Sequence, residues 1–268
     1  MQTYHIHIRG RVQGVGFRPF VCRLAAQYGL TGTVANSTDG LHILFNAGEE
    51  QADDFYREII SQAPEHAVIT HHESGKTSYI NFSRFHIIES LTDAAPDLLI
   101  TPDIAICATC RTELTQNNNR RNSYPFTTCL HCGPRYSIIT KIPYDRQNTT
   151  MAHINMCDTC SREYHDLQDR RHYSQTNSCP DCAIQMHLYD DQRNEPIEDQ
   201  TEIINSLVSS ISSGKIAAVK GIGGYLLLCD ATNEDTIDTL RKRKHRPAKP
   251  FAVLYPDLET AAADLCHS

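Results

Sequence analysis

The sequence predicts an α+β chain in three consecutive parts, on three observations. Residues 1–90 alternate apolar strands with helices striped on one side, residues 101–188 hold four C-x2-C pairs, and residues 200–268 alternate helix and strand around a glycine-rich turn. With 268 residues, 40% apolar content and net charge −7, the chain has length and apolar content for two or three domains. No run approaches the twenty apolar residues that a membrane span needs, and the acidic balance argues against a general nucleic-acid binder.

Residues 3–9 place Tyr4, Ile6 and Ile8 on one face of a strand and His5, His7 and Arg9 on the other; His5 and His7 share that face and could chelate a metal, but solvated strand positions are expected. The strand runs into GRVQGVGFRPF, where Gly14 and Gly16 permit a tight turn and Pro19 suits the first turn of a helix through Phe20, Leu24 and Tyr28. Such a turn is an anion cradle, because free N–H groups and the positive helix end point at one spot and Arg18 adds a two-pronged donor. Pro19 occupies the third glycine position of G-x-G-x-x-G, so a dinucleotide fingerprint is not met. A hairpin follows, LTGTVANSTDGLHILF with its Asp39-Gly40 turn signal, then a helix carrying Phe55, Ile59 and Ile60, then a strand near Phe82 to Ile88. The order βαββαβ is that of a ferredoxin-like sandwich, with room for one more strand before the last.

The pairs of the middle part are Cys107/Cys110, Cys129/Cys132, Cys157/Cys160 and Cys179/Cys182, and the second two repeat the first two at an offset of fifty residues. Thr109, Glu113, Arg120 and Arg121 recur at the same offset as Thr159, Glu163, Arg170 and Arg171. Two pairs complete the four-thiolate shell zinc prefers in structural sites, so two Zn2+ are expected. One ion per repeat is the simplest pairing; a nested one, outer pairs on one ion and inner pairs on the other, stays open. Disulfides would need an oxidising compartment, whereas the N-terminus MQTYHIHIRG has no apolar or basic leader, so a reducing cytoplasm is expected. Structural zinc contributes about 10–16 kcal/mol in small fingers, enough to fold a segment with little core of its own. His131, His153, His165 and His172 are expected at the surface or behind the ligands, and Cys22, Cys229 and Cys266 in cores.

After an acidic linker near Asp190 to Asp199, Ile203, Ile204, Leu207, Val208 and Ile211 mark one face of a helix that Gly214 ends. Strands KIAAVK and YLLLC flank Gly221, Gly223 and Gly224. A helix through Ile237 and Leu240 then carries the basic run RKRKHRPAKP, and FAVLY reads as a further strand.

GRVQGVGFRPF followed by GTVANSTDG resembles the acylphosphatase family over nearly all of the first ninety residues. The resemblance implies hydrolysis of an acyl phosphate whose phosphate is held by the amides of Gln13, Gly14, Val15, Gly16 and Phe17 and by Arg18, while Asn36 positions the attacking water. With the repeats added, RRNSYPFTTCLHCGPRYSII, IPYDRQNTTM and MCDTCSREYHDLQDRR resemble the N-terminal half of the HypF family, carbamoyltransferases of [NiFe]-hydrogenase maturation. One departure follows the fourth pair, where Cys182-Ala183-Ile184 stands for the family's Cys-Gly-Pro and is expected to cost a tight turn. KGIGGYLLLCDA with the basic run resembles the opening of a YrdC-like domain, which implies that Lys244 and Arg246 bind nucleotide phosphates. The resemblance further implies carbamoyl phosphate and ATP with Mg2+ as substrates of the complete protein, and the C-terminal cysteine of a HypE-type protein as acceptor. Nucleic-acid binding enters only as a remote analogy through the YrdC-like part. The chain then reads as a piece of such a protein, retaining the first hydrolytic step and expected to be poorly soluble or disordered beyond about residue 200. A non-catalytic zinc-repeat protein that holds an unfolded client, similar to the cysteine-rich module of DnaJ-type chaperones, is the rival from another class.

Overall fold

The computed structural model describes residues 1–182, 184–190 and 195–265, and the chain folds as two compact units, Met1–Ile184 and Gln185–Ser268. The first unit opens with β1 (Gln2–Arg11), α1 (Phe17–Gln27), β2 (Thr31–Ser37), β3 (Gly40–Ala47), α2 (Glu49–Ser61), β4 (Val68–Thr77) and β5 (Phe85–Ile87). The sheet order is β4-β1-β3-β2-β5, antiparallel except for the parallel pair β2–β5. This is the expected βαββαβ sandwich, with β4 as the added strand before the last. Burial of Ile6, Ile8, Val34, Ile43 and Phe45 from the sheet against Phe17, Val21, Leu24, Phe55 and Ile59 from the helices holds the layers together. Cys22 lies in that core, where burial pushes its thiol up to about 12 against the pull of Arg18 and Arg23.

Two local details differ from expectation. The hairpin turns on Thr38 and Asp39, one residue early, and Gly40 pairs with Ser37 at φ 142°, where a Cβ would lie 2.3 Å from the Ile8 carbonyl oxygen. The second face of β1 is not solvated at His7, which is 4% exposed. β3 and β4 flank β1 on both sides, and His42, opposite His7 in register, stacks on it with ring centroids 4.1 Å apart.

Two short helices, α3 (Ala108–Thr115) and α4 (Asp158–His165), start immediately after Cys107 and Cys157. Around them the chain runs in turns and isolated bridges, and the buried cluster of the first repeat consists of Cys110, Cys129 and Cys132 with Ile106 and Cys107 against it. A segment this poor in apolar core is expected to depend on its metals for stability. His172 is buried rather than superficial, and burial lowers its pKa to about 4.

The second unit comprises α5 (Gln200–Ser212), β6 (Ala217–Lys220), β7 (Tyr225–Leu228), α6 (Glu234–Arg243) and α7 (Leu258–Leu265). Asp199, expected in a linker, caps α5 by accepting from the Glu202 amide, and Asn233 caps α6. Gly214, at φ 79°, ends α5 with amide bonds from Gly214 to Ile211 and from Lys215 to Ser210. On α5 only Ile203 is buried, while Ile204 and Val208 of the expected face are exposed. β6 and β7 form a two-stranded antiparallel ribbon whose Tyr225, Leu226, Leu227 and Leu228 are all exposed. FAVLY is not a strand, since nothing among the described residues pairs with 251–255. Cys229 is half-buried; Cys266, Ala183 and the middle of the acidic stretch lie outside the described residues. No helix among the described residues is long and apolar enough to cross a membrane.

Candidate active site and metal centres

The eight paired cysteines converge as two sets, Cys107, Cys110, Cys129 and Cys132, and Cys157, Cys160, Cys179 and Cys182. In the first set the Cys107–Cys129 and Cys129–Cys132 sulfurs lie 3.7 and 3.8 Å apart; in the second, Cys157–Cys179, Cys179–Cys182 and Cys160–Cys182 lie at 3.7, 3.8 and 3.6 Å. Bonds of about 2.3 Å from a tetrahedral zinc put its thiolates about 3.8 Å apart. A disulfide would need about 2.05 Å. The donor sets therefore fit two zinc ions, one per repeat, and the nested pairing is excluded. The first cysteine of each set caps a helix, so the positive end of α3 or α4 adds to the stabilisation of its thiolates.

The arginines that recur at the fifty-residue offset cross between the repeats. Arg120 donates to the Cys160 sulfur at 3.1 Å and to Glu163 at 2.8 Å; Arg170 donates to the Cys110 sulfur at 3.0 Å and to Glu113 at 2.8 Å. Arg121 forks onto both oxygens of Glu163 and Arg171 onto those of Glu113. Four thiolates outweigh a divalent ion by two charges, and each repeat supplies the cations that offset the excess in the other. Burial opposes the charge of Glu163, but Arg121, Asn177 and Arg120 outweigh it and hold the carboxyl down to about 2.

The cradle lies between β1 and α1. Gly14 and Gly16 take φ of 72° and 81°, the left-handed region glycine favours. The loop is braced from behind: Thr101 Oγ1 donates to the Gln13 carbonyl, and Arg135 Nε to that of Gly14. The same Arg135, 3% exposed, donates to the carbonyls of Cys129, Leu130 and Cys132. One guanidinium thus ties the cradle to the second knuckle of the first zinc shell.

Arg18 and Asn36, on α1 and at the end of β2, reach the same point. Arg18 Nη2 and Asn36 Nδ2 donate to the Tyr144 carbonyl at 3.1 and 3.2 Å, and Arg18 Nη2 also pairs with Asp145 at 2.7 Å. The Tyr144 amide donates to Gln13 Oε1 at 2.8 Å, so residues 144 and 145 fill the mouth of the cradle with acceptors. A cavity of about 20 Å³ remains, bordered by Gln13, Gly14, Gly16, Arg18 and Asn36, room for a water and little more. Asn36 Oδ1 is buried there without a hydrogen-bond partner in the protein.

The structure brings Gln13, Gly14, Gly16, Arg18 and Asn36 to one cavity. Val15 and Phe17 are buried neighbours in the same turn, their side chains in the core. Lys244 and Arg246 lie in the second unit, Lys244 exposed at the end of α6 and Arg246 held by the Lys249 and Pro250 carbonyls and by the Phe251 ring. Sequence reasoning missed Tyr144, Asp145 and Arg135. They stand in the strings IPYDRQNTTM and CGPRYS, whose spacing says nothing about which loop they would meet.

Comparison with known proteins gives three family models in chain order: acylphosphatase over residues 4–87, HypF finger over 106–139 and 156–189, and telomere recombination, the Sua5/YciO/YrdC model, over 209–267. Carbamoyltransferase HypF of Rhodobacter capsulatus is 42% identical over 95% of this chain and 33% of its own length. An acylphosphatase of Archaeoglobus fulgidus is 33% identical over 32% of this chain and 98% of its own. A crystal structure of full-length HypF in a phosphate- and nucleotide-bound form matches with TM-score 0.88 at 39% identity, over 97% of this chain and 34% of that one. The chain spans about a third of the length of the HypF relatives it matches.

Proposed function

Since the chain belongs to the HypF family of carbamoyltransferases, we propose that its first domain hydrolyses carbamoyl phosphate at the Arg18–Asn36 cradle and so begins the transfer reaction of the whole protein. The observation that carries this reading is the convergence of two buried donors, Arg18 Nη2 and Asn36 Nδ2, on one oxygen position 3.1 and 3.2 Å away, beside an Asn36 oxygen that has no partner. A phosphate oxygen taking the place of the Tyr144 carbonyl would meet both donors, with the amides of Gln13, Gly14, Val15, Gly16 and Phe17 around the remaining oxygens. Asn36 Oδ1 would then accept from a water held in line with the bond to be broken. That water forms a bond to phosphorus while the acyl oxygen leaves with its bonding pair. Phosphate takes the water's proton, and carbamate departs.

In the whole protein, carbamate passes to the YrdC-like part, where Lys244 and Arg246 hold the phosphates of ATP with Mg2+ as carbamoyl adenylate forms. A HypE-type protein accepts the carbamoyl group on its C-terminal cysteine. The nucleotide and phosphate named for the full-length HypF structure support both ends of this route. Unpaired thiols throughout the described residues support a reducing, cytoplasmic setting. The domains we assign are 1–90, 101–188 and 200–268.

The test is phosphate release from carbamoyl phosphate by the chain and by Arg18→Ala and Asn36→Ala, with zinc content determined for each. Release is expected to fall at least a hundredfold in either variant while two zinc ions per chain remain. No release from a folded, zinc-loaded wild type would favour the client-binding rival.

A further inference from the structure

We propose that Ser174, in the second zinc repeat, selects the acyl group of the substrate by accepting a hydrogen bond from the carbamoyl NH2, an inference that rests on hydrolysis at the Arg18–Asn36 cradle. The cavity there has two walls. Gln13, Gly14, Arg18 and Asn36 come from the N-terminal sandwich, whereas Ser174 and Gln175 come from the second repeat. The acylphosphatase match ends at residue 87, well before the second wall begins. A contact from that wall to the acyl group is therefore something the sandwich alone does not supply.

Among the described residues, Asn36, Tyr144 and Ser174 border the cavity, and each carries a buried side-chain oxygen without a hydrogen-bond partner in the protein. In the proposed reaction Asn36 Oδ1 takes the water, and Tyr144 belongs to the segment that substrate displaces. Ser174 is held in place: it is 2% exposed, its amide donates to the Arg171 carbonyl at 2.9 Å, and its own carbonyl accepts from the Asn177 amide at 3.0 Å. Fifty residues earlier the same position is Tyr124, fully buried, whose hydroxyl bonds to Ser178 Oγ at 3.0 Å across the repeats. The counterpart of Ser178 is Thr128, but Thr128 Oγ1 bonds to Thr176 Oγ1 at 2.8 Å. A phenol that joins the repeats is thus exchanged for a small hydroxyl without a partner at the residue that borders the cradle. An unpaired buried hydroxyl is costly, so a ligand that pairs with it accounts for its place. Arg18, Asn36 Nδ2 and the loop amides are donors, suited to the oxygens of the phosphate and of the acyl carbonyl. The NH2 group is itself a donor and needs an acceptor, which the Ser174 oxygen provides. A buried water would satisfy Ser174 equally well without selecting the substrate, and a comparison of acyl groups separates the two.

Carbamoyl and acetyl phosphate differ by NH2 against CH3 at similar size, so the pair isolates this contact. The experiment measures kcat/KM for phosphate release from each substrate by the zinc-loaded chain and by Ser174→Ala. The variant is expected to lose about tenfold on carbamoyl phosphate and to keep or raise its rate on acetyl phosphate. Ser174→Gly, which removes the same hydroxyl, is expected to behave alike. Two zinc ions per chain and undiminished turnover of acetyl phosphate report a folded variant with an intact cradle. Activity on both substrates in a ratio that neither variant changes overturns this inference alone. Release from neither substrate by a folded, zinc-loaded wild type overturns the hydrolytic reading and this inference with it.

Discussion

Glu163 and Arg121 show how much a single buried charge pair carries here. Arg121 is 2% exposed, and its guanidinium depends on both oxygens of Glu163. Glu163→Ala removes the carboxylate from that buried cation and leaves it the Ser178 carbonyl, Asn177 Oδ1 and the Cys160 sulfur, so a loss toward the lower end of about 3–5 kcal/mol is expected in denaturant unfolding of the zinc-loaded chain. The same pair has a pH signature. The Glu163 carboxyl is held down to about 2, below an unfolded value of about 4.3, so its contribution is complete above the unfolded value and is lost as pH falls through the folded one. Stability is therefore expected to decline between about pH 4.3 and 2, and Glu163→Gln should flatten that part of the profile. The sequence marks Glu163 as repeated from Glu113; it does not say that the partner arginine comes from the other repeat.

At the scale of elements, two loops act on parts of the chain far from them. The Tyr144–Asp145 segment offers a carbonyl and a carboxylate to Arg18, the donors' natural targets in a phosphate. In the proposed reaction substrate displaces them, so Asp145→Ala is expected to lower KM for carbamoyl phosphate several-fold without lowering kcat, measured by initial rates of phosphate release. A rise in KM would mean that Asp145 helps to bind substrate. The exchanged arginines make a second prediction. Arg120 belongs to the first repeat, yet Arg120→Ala is expected to speed zinc loss about 10–100-fold from the second shell, that of Cys157, Cys160, Cys179 and Cys182, and not from its own. Chelator kinetics on the variant, with the cysteines alkylated and mapped, would read which shell opens first. The strand, hairpin and helix periods made the elements of the N-terminal sandwich legible, whereas FAVLY shows the limit: an apolar run with strand composition stays irregular where no neighbour offers its backbone a ladder.

Over the whole molecule, the metal centres and the cradle belong to one compact unit, Met1–Ile184, with Arg135 joining the Gly14 carbonyl to those of Cys129, Leu130 and Cys132. Zinc is thereby expected to be a structural requirement for the proposed hydrolytic site without touching the reaction. Removal of both ions by a chelator is expected to abolish phosphate release, and return of zinc to restore it; release that survives full chelation would uncouple the two. Gln185–Ser268 is less well supplied with core, with Tyr225 72% exposed and Leu226 60% exposed on a two-stranded ribbon, a face that needs further chain or a partner to cover it.

The sequence by itself determined the zinc ligands, the cradle and the order of elements, because each is written in local spacing: cysteines two apart, glycines before a helix, apolar residues every second or every third to fourth position. Only the tertiary structure decided which cysteine pairs share an ion, that arginines serve the opposite repeat, that Tyr144 and Asp145 sit in the mouth of the cradle, and that His7 is buried against His42 and Asp39. Those contacts join residues from 22 to 131 positions apart, as Cys107 to Cys129 and Gln13 to Tyr144, and no periodicity in a chain encodes which of its distant segments will close on each other.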